Sequence, residues 1–361
     1  CTKADLVDEA TRDERVEGVW SLVEDKAYHN QILGVECVSN LTGAGVAEVR
    51  ELLEQSKDRL VNYGRRVPLG WFKFHRTAQE LVKDGVRRIT LDQAKAVGRE
   101  CQVKEEDLEP MLREYHNIGF LQWCESEPTA RNLVVLDVQW MMDTMTAMLC
   151  KRHIIKMSRT PRSLRKGKWT TLLKTARFDP VLLPELWPDL ETAERESVLG
   201  YMTHFGLCCP LPQEEEEEGA TPLYLVPSLL PALPPGESIW AENCEHDREL
   251  LIKFIHDQGV WEEAAGYLPD TLFFRLVALI VQTTTIGVAF KHLYADQIVI
   301  NGPTRYRIKI DREQHHLRLT AYKPDNDDVL AKVEDQVTQH LKDLMKFFGV
   351  KFRLEVKCEH N

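Results

Sequence analysis

Near the amino end, Thr2-Lys3-Ala4-Asp5 has the residue types and spacing that carry the most specific chemistry in the chain. A Thr/Asn-Lys-x-Asp tetrad at a strand end can hold a purine: the Asp5 carboxylate accepts two hydrogen bonds from the base edge while the Lys3 stem packs on its face. Only guanine offers that paired donor edge. Each charge-assisted contact of this kind contributes roughly 1.5 to 3 kcal/mol. Alone, the tetrad is weak evidence and reads more readily as a solvated turn. Context comes from Glu36-Cys37-Val38-Ser39-Asn40-Leu41-Thr42-Gly43-Ala44-Gly45-Val46, which follows the apolar run Ile32 to Val35. A loop there can buttress the base with backbone N–H groups around Ser39, Asn40 and Leu41.

These residues need elements to position them. Asp8 to Glu24 is highly charged and reads as an exposed helix; Ile32 to Val38 reads as a buried strand. Val46, Val49, Leu52, Leu53 and Leu60 mark one side of a following helix. That order matches the last third of a doubly wound nucleotide-binding sheet. No G-x-x-x-x-G-K-[ST] loop and no Asp-x-x-Gly occurs, and Gly167-Lys168-Trp169-Thr170 is only a decoy. The phosphate and Mg²⁺ machinery is therefore absent from these residues. The chain begins with Cys, inside the motif, so a fragment is expected.

After a linker at Tyr63 to Val67 the pattern becomes helical, with helices at Thr77 to Lys83, Leu91 to Cys101 (Thr90 as N-cap) and Glu105 to His116. Gly119 to Trp123 and Asn132 to Leu136 follow as two short strands, then a helix carrying Trp140, Met141, Met145 and Leu149. Helices followed by a two-stranded ribbon make a winged-helix outline. Met202 to Cys209 echoes His116 to Leu121, each ahead of a polar turn and a second strand, so two related helical subdomains are expected. Glu214 to Glu218 falls at the second turn as a solvated tip. Ala232-Leu233-Pro234-Pro235-Gly236 marks a boundary. Beyond it lie Leu251 to Ile255, a buried helix at Leu272 to Val281, strands at Ile298 to Ile300, Tyr306 to Ile310 and Leu317 to Ala321, a helix from Leu330 to Phe348, and a last strand from Val350 to Val356 that should bury a single face.

The tetrad and the Ser39 loop resemble the end of a Ras-like domain. Val67-Pro68-Leu69-Gly70-Trp71-Phe72, Tyr115 to Leu121, Val134 to Trp140, Leu225 to Leu230 and Leu272-Phe273-Phe274-Arg275-Leu276 are similar to successive landmarks of the COR domain, which in the Roco family follows the Ras-like Roc domain. The resemblance implies a multidomain α/β and α+β chain: residues 1–62 as the C-terminal part of Roc, 63–235 as a helical first half of COR with winged-helix-like units, and 236–361 as an α+β dimerisation unit. It implies a GTP/GDP switch, with only the guanine part of the site in these residues and Mg²⁺ in the complete domain. Thr2, Lys3, Asp5, Ser39, Asn40 and Leu41 are then the nucleotide residues, with Asn40 and Leu41 departing from the usual Ala and Lys. No catalytic residue and no metal ligand is assigned. It also implies a homodimer through COR, with Phe273, Phe274, Arg275 and Leu276 as interface candidates, protein signalling partners, output domains outside the fragment, and a cytoplasmic location.

Composition bounds the alternatives. The 361 residues exceed a single typical domain. A net charge of −11 argues against a surface built for nucleic acid. The basic stretch Lys151 to Lys168 is read as a solvated loop, with Ser158 or Ser163 as a phosphosite; its reading as a nucleic-acid footprint defines the rival, a winged-helix nucleic-acid-binding or adaptor protein without nucleotide switching. Nine cysteines without a C-x-x-C pair indicate a reducing compartment. Cys208-Cys209 point to opposite faces of a strand, while Cys244 with His246 and Cys358 with His360 lack partners for a metal. The run Leu276 to Phe290 is too short and polar to span a membrane.

Overall fold

The computed structural model describes residues 2–24, 26, 29–59, 64, 66–159, 165–212, 222–239, 248–255, 268–283, 289–301, 305–321, 327–348 and 351–356. Ser163, Glu214 to Glu218, Cys244 with His246 and Cys358 with His360 lie outside them. The chain divides into two compact units, Cys1–Leu69 and Gly70–Asn361.

In the first unit, α1 (Glu9–Val23) is capped by Asp8, whose Oδ1 accepts the Thr11 N–H at 2.9 Å, and no residue of the helix is buried. Residues 32–38 pair with no strand among the described residues, so the strand expected there is not formed: a strand exists only through a hydrogen-bonded neighbour. The segment nonetheless runs against α2 (Val46–Ser56), because a Cβ added to Gly34 would collide with the Leu52 side chain. Val46 and Leu53 remain exposed on the helix.

The second unit opens with α3 (Leu69–Lys83), β1 (Arg88–Thr90), α4 (Leu91–Glu100), α5 (Glu105–Asn117) and β2 (Leu133–Val135). Thr90 caps α4 through a capping box: its Oγ1 accepts the Gln93 N–H at 3.1 Å, and its own N–H donates to Gln93 Oε1 at 2.8 Å. β1 pairs antiparallel with β2, Ile89 opposite Val134. The strand expected at 119–123 reduces to one bridge, Gln122 to Val135. Its first residues are consumed by the end of α5, where Gly119 takes φ 74° and the Phe120 N–H donates to Tyr115 O. Phe74, Met111, Leu112, Leu121, Trp123 and Val134 pack beneath this sheet.

Next come α6 (Val138–Leu149), α7 (Lys151–Arg159), α8 (Lys166–Thr175), β3 (Arg177–Phe178), α9 (Leu183–Leu186), α10 (Thr192–His204), β4 (Cys209–Pro210) and β5 (Tyr224–Leu225), in a sheet ordered β3-β5-β4. The basic stretch is thus largely helical rather than a loop. Ile154 and Trp169 are buried and hold α7 and α8 down, while Arg165 reaches Glu185 at 3.2 Å and Lys168 reaches Asp179 at 2.7 Å. The echo between the two segments is a shared cap. α10 ends as α5 does, with Gly206 at φ 66° and the Leu207 N–H donating to Met202 O at 2.9 Å, the Schellman arrangement in both places.

The last part contains β6 (Arg248–Ile255), α11 (Asp270–Thr283), β7 (Ala289–Leu293), β8 (Gln297–Asn301), β9 (Arg305–Asp311), β10 (His316–Ala321), α12 (Asp327–Phe348) and β11 (Lys351–Val356). The sheet runs β11-β6-β10-β9-β8-β7 with antiparallel neighbours. Register aligns Ile252, Leu317 and Ile310 in one row and Leu319, Ile308 and Ile298 in another, all buried. α11 joins that core and also packs on β4 and on the turn Pro227–Leu229. Pro231 O accepts the Ala295 N–H at 2.9 Å, so Ala232 to Gly236 is not a break in the core. β11 is an edge strand. Phe352 meets Phe254, but Leu354 stays 42% exposed, so its apolar face is only partly closed.

Candidate functional site

In the first unit the chain bends at Lys3, a non-glycine residue at φ 64° and ψ 40°, into a short 3-10 turn at Ala4–Leu6. The Ala4 N–H donates to Val38 O at 3.0 Å, which stitches the tetrad to the end of the 32–38 segment. Beside it, Ser39 Oγ donates to Asp5 Oδ1 at 2.5 Å. Ser39 is fully buried and Asp5 is exposed, so the hydroxyl anchors the carboxylate from behind. An ionised carboxylate has about four acceptor positions. Asp5 therefore keeps acceptor capacity facing outward, with its orientation set.

The Ser39 turn is itself fixed. Its Oγ accepts the Thr42 N–H at 3.2 Å, its N–H donates to Ala44 O at 2.9 Å, and its carbonyl accepts the Gly43 N–H at 2.8 Å. Gly45 closes the loop at φ 79°, where a Cβ would strike the Cys37 carbonyl, so this position requires glycine. Arg12 braces the tetrad from α1, Nε to Ala4 O at 2.9 Å and Nη2 to Val7 O at 3.1 Å. No pattern in the sequence marked Arg12. Of the six residues expected at the site, the structure joins Asp5 and Ser39 directly; Thr2, Lys3, Asn40 and Leu41 are exposed, Leu41 at 85%.

In the second unit the most heavily used side chain is Tyr201 of α10. Its hydroxyl accepts the Cys124 N–H at 3.1 Å and donates to Leu133 O at 2.8 Å, binding α10 to the ribbon that follows α5. Arg88 of β1 grips Glu194 of α10 at 2.6 and 2.9 Å and lies 4.9 Å above the Trp140 ring. The Arg88 hydrogen bonds hold the Glu194 carboxyl below the ordinary glutamate range. Cys208 and Cys209 are fully buried, and burial pushes the Cys208 thiol up to about 12. No cluster of three or more metal-ligating side chains occurs among the described residues. Phe273 and Leu276 have no exposed surface, because they face the core from α11; Phe274 and Arg275 are half-buried. An interface can therefore engage the latter pair but not the former.

Residues 68–230 match the family described as C-terminal of Roc, COR-A domain. Residues 68–230 thus correspond to the COR-A domain of Roco proteins. Among curated proteins it is 25% identical over 227 residues to the probable serine/threonine-protein kinase roco11 of Dictyostelium discoideum, covering 60% of this chain and 13% of that protein. It is also 25% identical over 128 residues to the probable serine/threonine-protein kinase pats1 of the same organism, covering 35% and 4%. The chain thus spans a small part of the length of these relatives. Among solved structures it resembles the Methanosarcina barkeri Roco2 RocCORdC bound to GDP, at 12% identity and TM-score 0.40, covering 63% of this chain and 71% of that one. The COR-A match takes in both ribbon-bearing parts of the second unit and stops at Leu230, just before the segment that leads into the six-stranded sheet.

Proposed function

We propose that this chain is the guanine-recognition end of a Roc domain followed by COR, and that it acts in a GTP-dependent signalling switch. The observation that carries the reading is the Ser39–Asp5 hydrogen bond: two segments 34 residues apart, each selected by its residue types, meet at one carboxylate. Asp5 selects guanine, Lys3 covers the base face, and the backbone at Ser39, Asn40 and Leu41 closes its rim. A phosphate loop and Mg²⁺ are supplied by the remainder of the Roc domain. COR then relays the nucleotide state to dimerisation, with Phe274 and Arg275 at the contact, and to output domains. The order helix, strand, two helices, strand in 69–135, with the Gln122 bridge, supports a winged-helix unit used for protein contact. Two cations of the basic stretch, Arg165 and Lys168, are engaged by Glu185 and Asp179, which favours that use over nucleic-acid binding.

The test joins this chain to an N-terminal phosphate-loop segment and measures fluorescent GDP binding. Ser39→Ala frees Asp5 from its anchor, and GDP affinity is expected to fall about tenfold as the carboxylate loses its set orientation. Unchanged affinity would remove Ser39 from the site.

A further inference from the structure

A groove of about 650 Å³ runs along α10 in the COR-A region, separate from the tetrad. Its floor is one face of the helix, from Thr192 through Leu199 and Gly200 to Thr203. At 1.5 Å per residue that face is about 16 Å long. Extended chain rises about 3.3 Å per residue, so the floor matches about five residues of peptide. Much of the rest of the lining is apolar and stiff: Pro180, Val181, Pro184, Pro210 and Pro222, with Tyr224 beside them. Pro210 has no N–H and denies a ladder to an added strand, so recognition here falls to side chains.

The charges at the groove have one sign to spare. Glu127 and Glu196 both line it, and neither has an ion-pair partner among the described residues. Arg195, the cation of the lining, is engaged by backbone carbonyls: its Nε donates to Trp187 O at 3.0 Å and its Nη2 to Pro188 O at 3.4 Å. Glu127 is held in place. Ser197 Oγ donates to Thr129 O at 2.9 Å, and Gly200 lets the 127–130 turn lie directly on α10, since a Cβ there would hit Thr129 Oγ1. Burial raises the Tyr224 hydroxyl above its ordinary pKa, and Cys208, Glu127 and Glu196 push the same way; Glu127, Glu196 and Tyr224 all line the groove.

We propose that this groove binds a short extended peptide of a partner protein, an arginine or lysine flanked by apolar residues, with its cation between Glu127 and Glu196 and its apolar side chains on Leu199 and the proline walls. The volume lies in the range of ligand sites, and apolar walls with few placed polar groups are their usual composition. The length of the floor and the charge of the rim select a basic peptide over a compact neutral ligand.

Retention of fluorescein-labelled heptapeptide pools on the full chain tests this. The pools carry Ala, Val, Leu and Pro around a fixed central Arg, norleucine or Glu. The Arg pool is expected to be retained at least fivefold over norleucine and the Glu pool not at all. The double variant Glu127→Gln, Glu196→Gln should abolish the preference for Arg. Val181→Trp, at a position already 40% exposed, should fill the groove and abolish retention while the melting temperature and circular dichroism stay unchanged. No retention of any pool, equal retention of Arg and norleucine, or retention unaffected by Val181→Trp in a folded variant would overturn the proposal. Displacement of the Arg pool by equimolar agmatine would also overturn it, by reducing the groove to a pocket for small cations.

Discussion

At the scale of single residues, two buried hydroxyls do comparable work in different units. Ser39 turns an exposed aspartate into an oriented one, and Tyr201 ties a helix to a ribbon through an N–H and a carbonyl that would otherwise be buried without partners. Tyr201→Phe keeps the ring and removes only the oxygen. Leaving the Cys124 N–H unsatisfied costs about 1 to 3 kcal/mol, and urea denaturation is expected to show a loss in that range with little change in m-value. The meeting of the tetrad with the Ser39 turn was legible in the sequence because both were picked out by residue type at fixed spacing. Tyr201 and Arg12 were not, because each acts on backbone atoms, which carry no signature of their own. Phe273 and Leu276 show the converse limit: an apolar cluster reads the same whether it faces a partner or its own core, and only the fold assigns it to the core.

At the scale of elements, the strands expected in the six-stranded sheet form where their alternation put them, whereas α3 starts at Leu69, well before the expected Thr77. Thr90 announced the start of α4 through its hydroxyl and the Gln three residues later, both local features. The strands expected at 32–38 and 119–123 depended on neighbours that local pattern cannot supply: the first has no partner among the described residues, and the second yields to a helix cap. The basic stretch looked like a loop because its charges outnumber its apolar residues, yet Ile154 and Trp169 suffice to seat two helices. Two glycines separate backbone strain from steric exclusion. Gly119 has a left-handed backbone with open space around its Cα, whereas Gly45 has a similar φ and a carbonyl in the way. Gly119→Ala is expected to destabilise the second unit by about 1 kcal/mol. Gly45→Ala should cost the first unit more and open the Ser39 turn. Hydrogen exchange at Ser39 and Ala44 measures the second effect, with thermal unfolding for the first.

At the scale of the whole chain, the first unit presents the tetrad on exposed elements, and the second is built around a core that continues across the proline-rich segment at 232–236. That segment was expected as a boundary from its composition, which reports backbone stiffness and not what the flanking elements pack against. The COR-A match ends near the same place, at residue 230, so the family limit and the limit of the core differ. The central claim concerns the other end of the chain: Asp5 chooses the base. In the chain joined to a phosphate-loop segment, Asp5→Asn retains an oxygen for Ser39 but replaces one acceptor with a donor. Competition between GDP and xanthosine diphosphate for that variant is the most direct measurement. A preference inverted by at least tenfold toward xanthosine diphosphate, whose ring carries a carbonyl where guanine has an amino group, is the predicted result; an undiminished preference for GDP would contradict it.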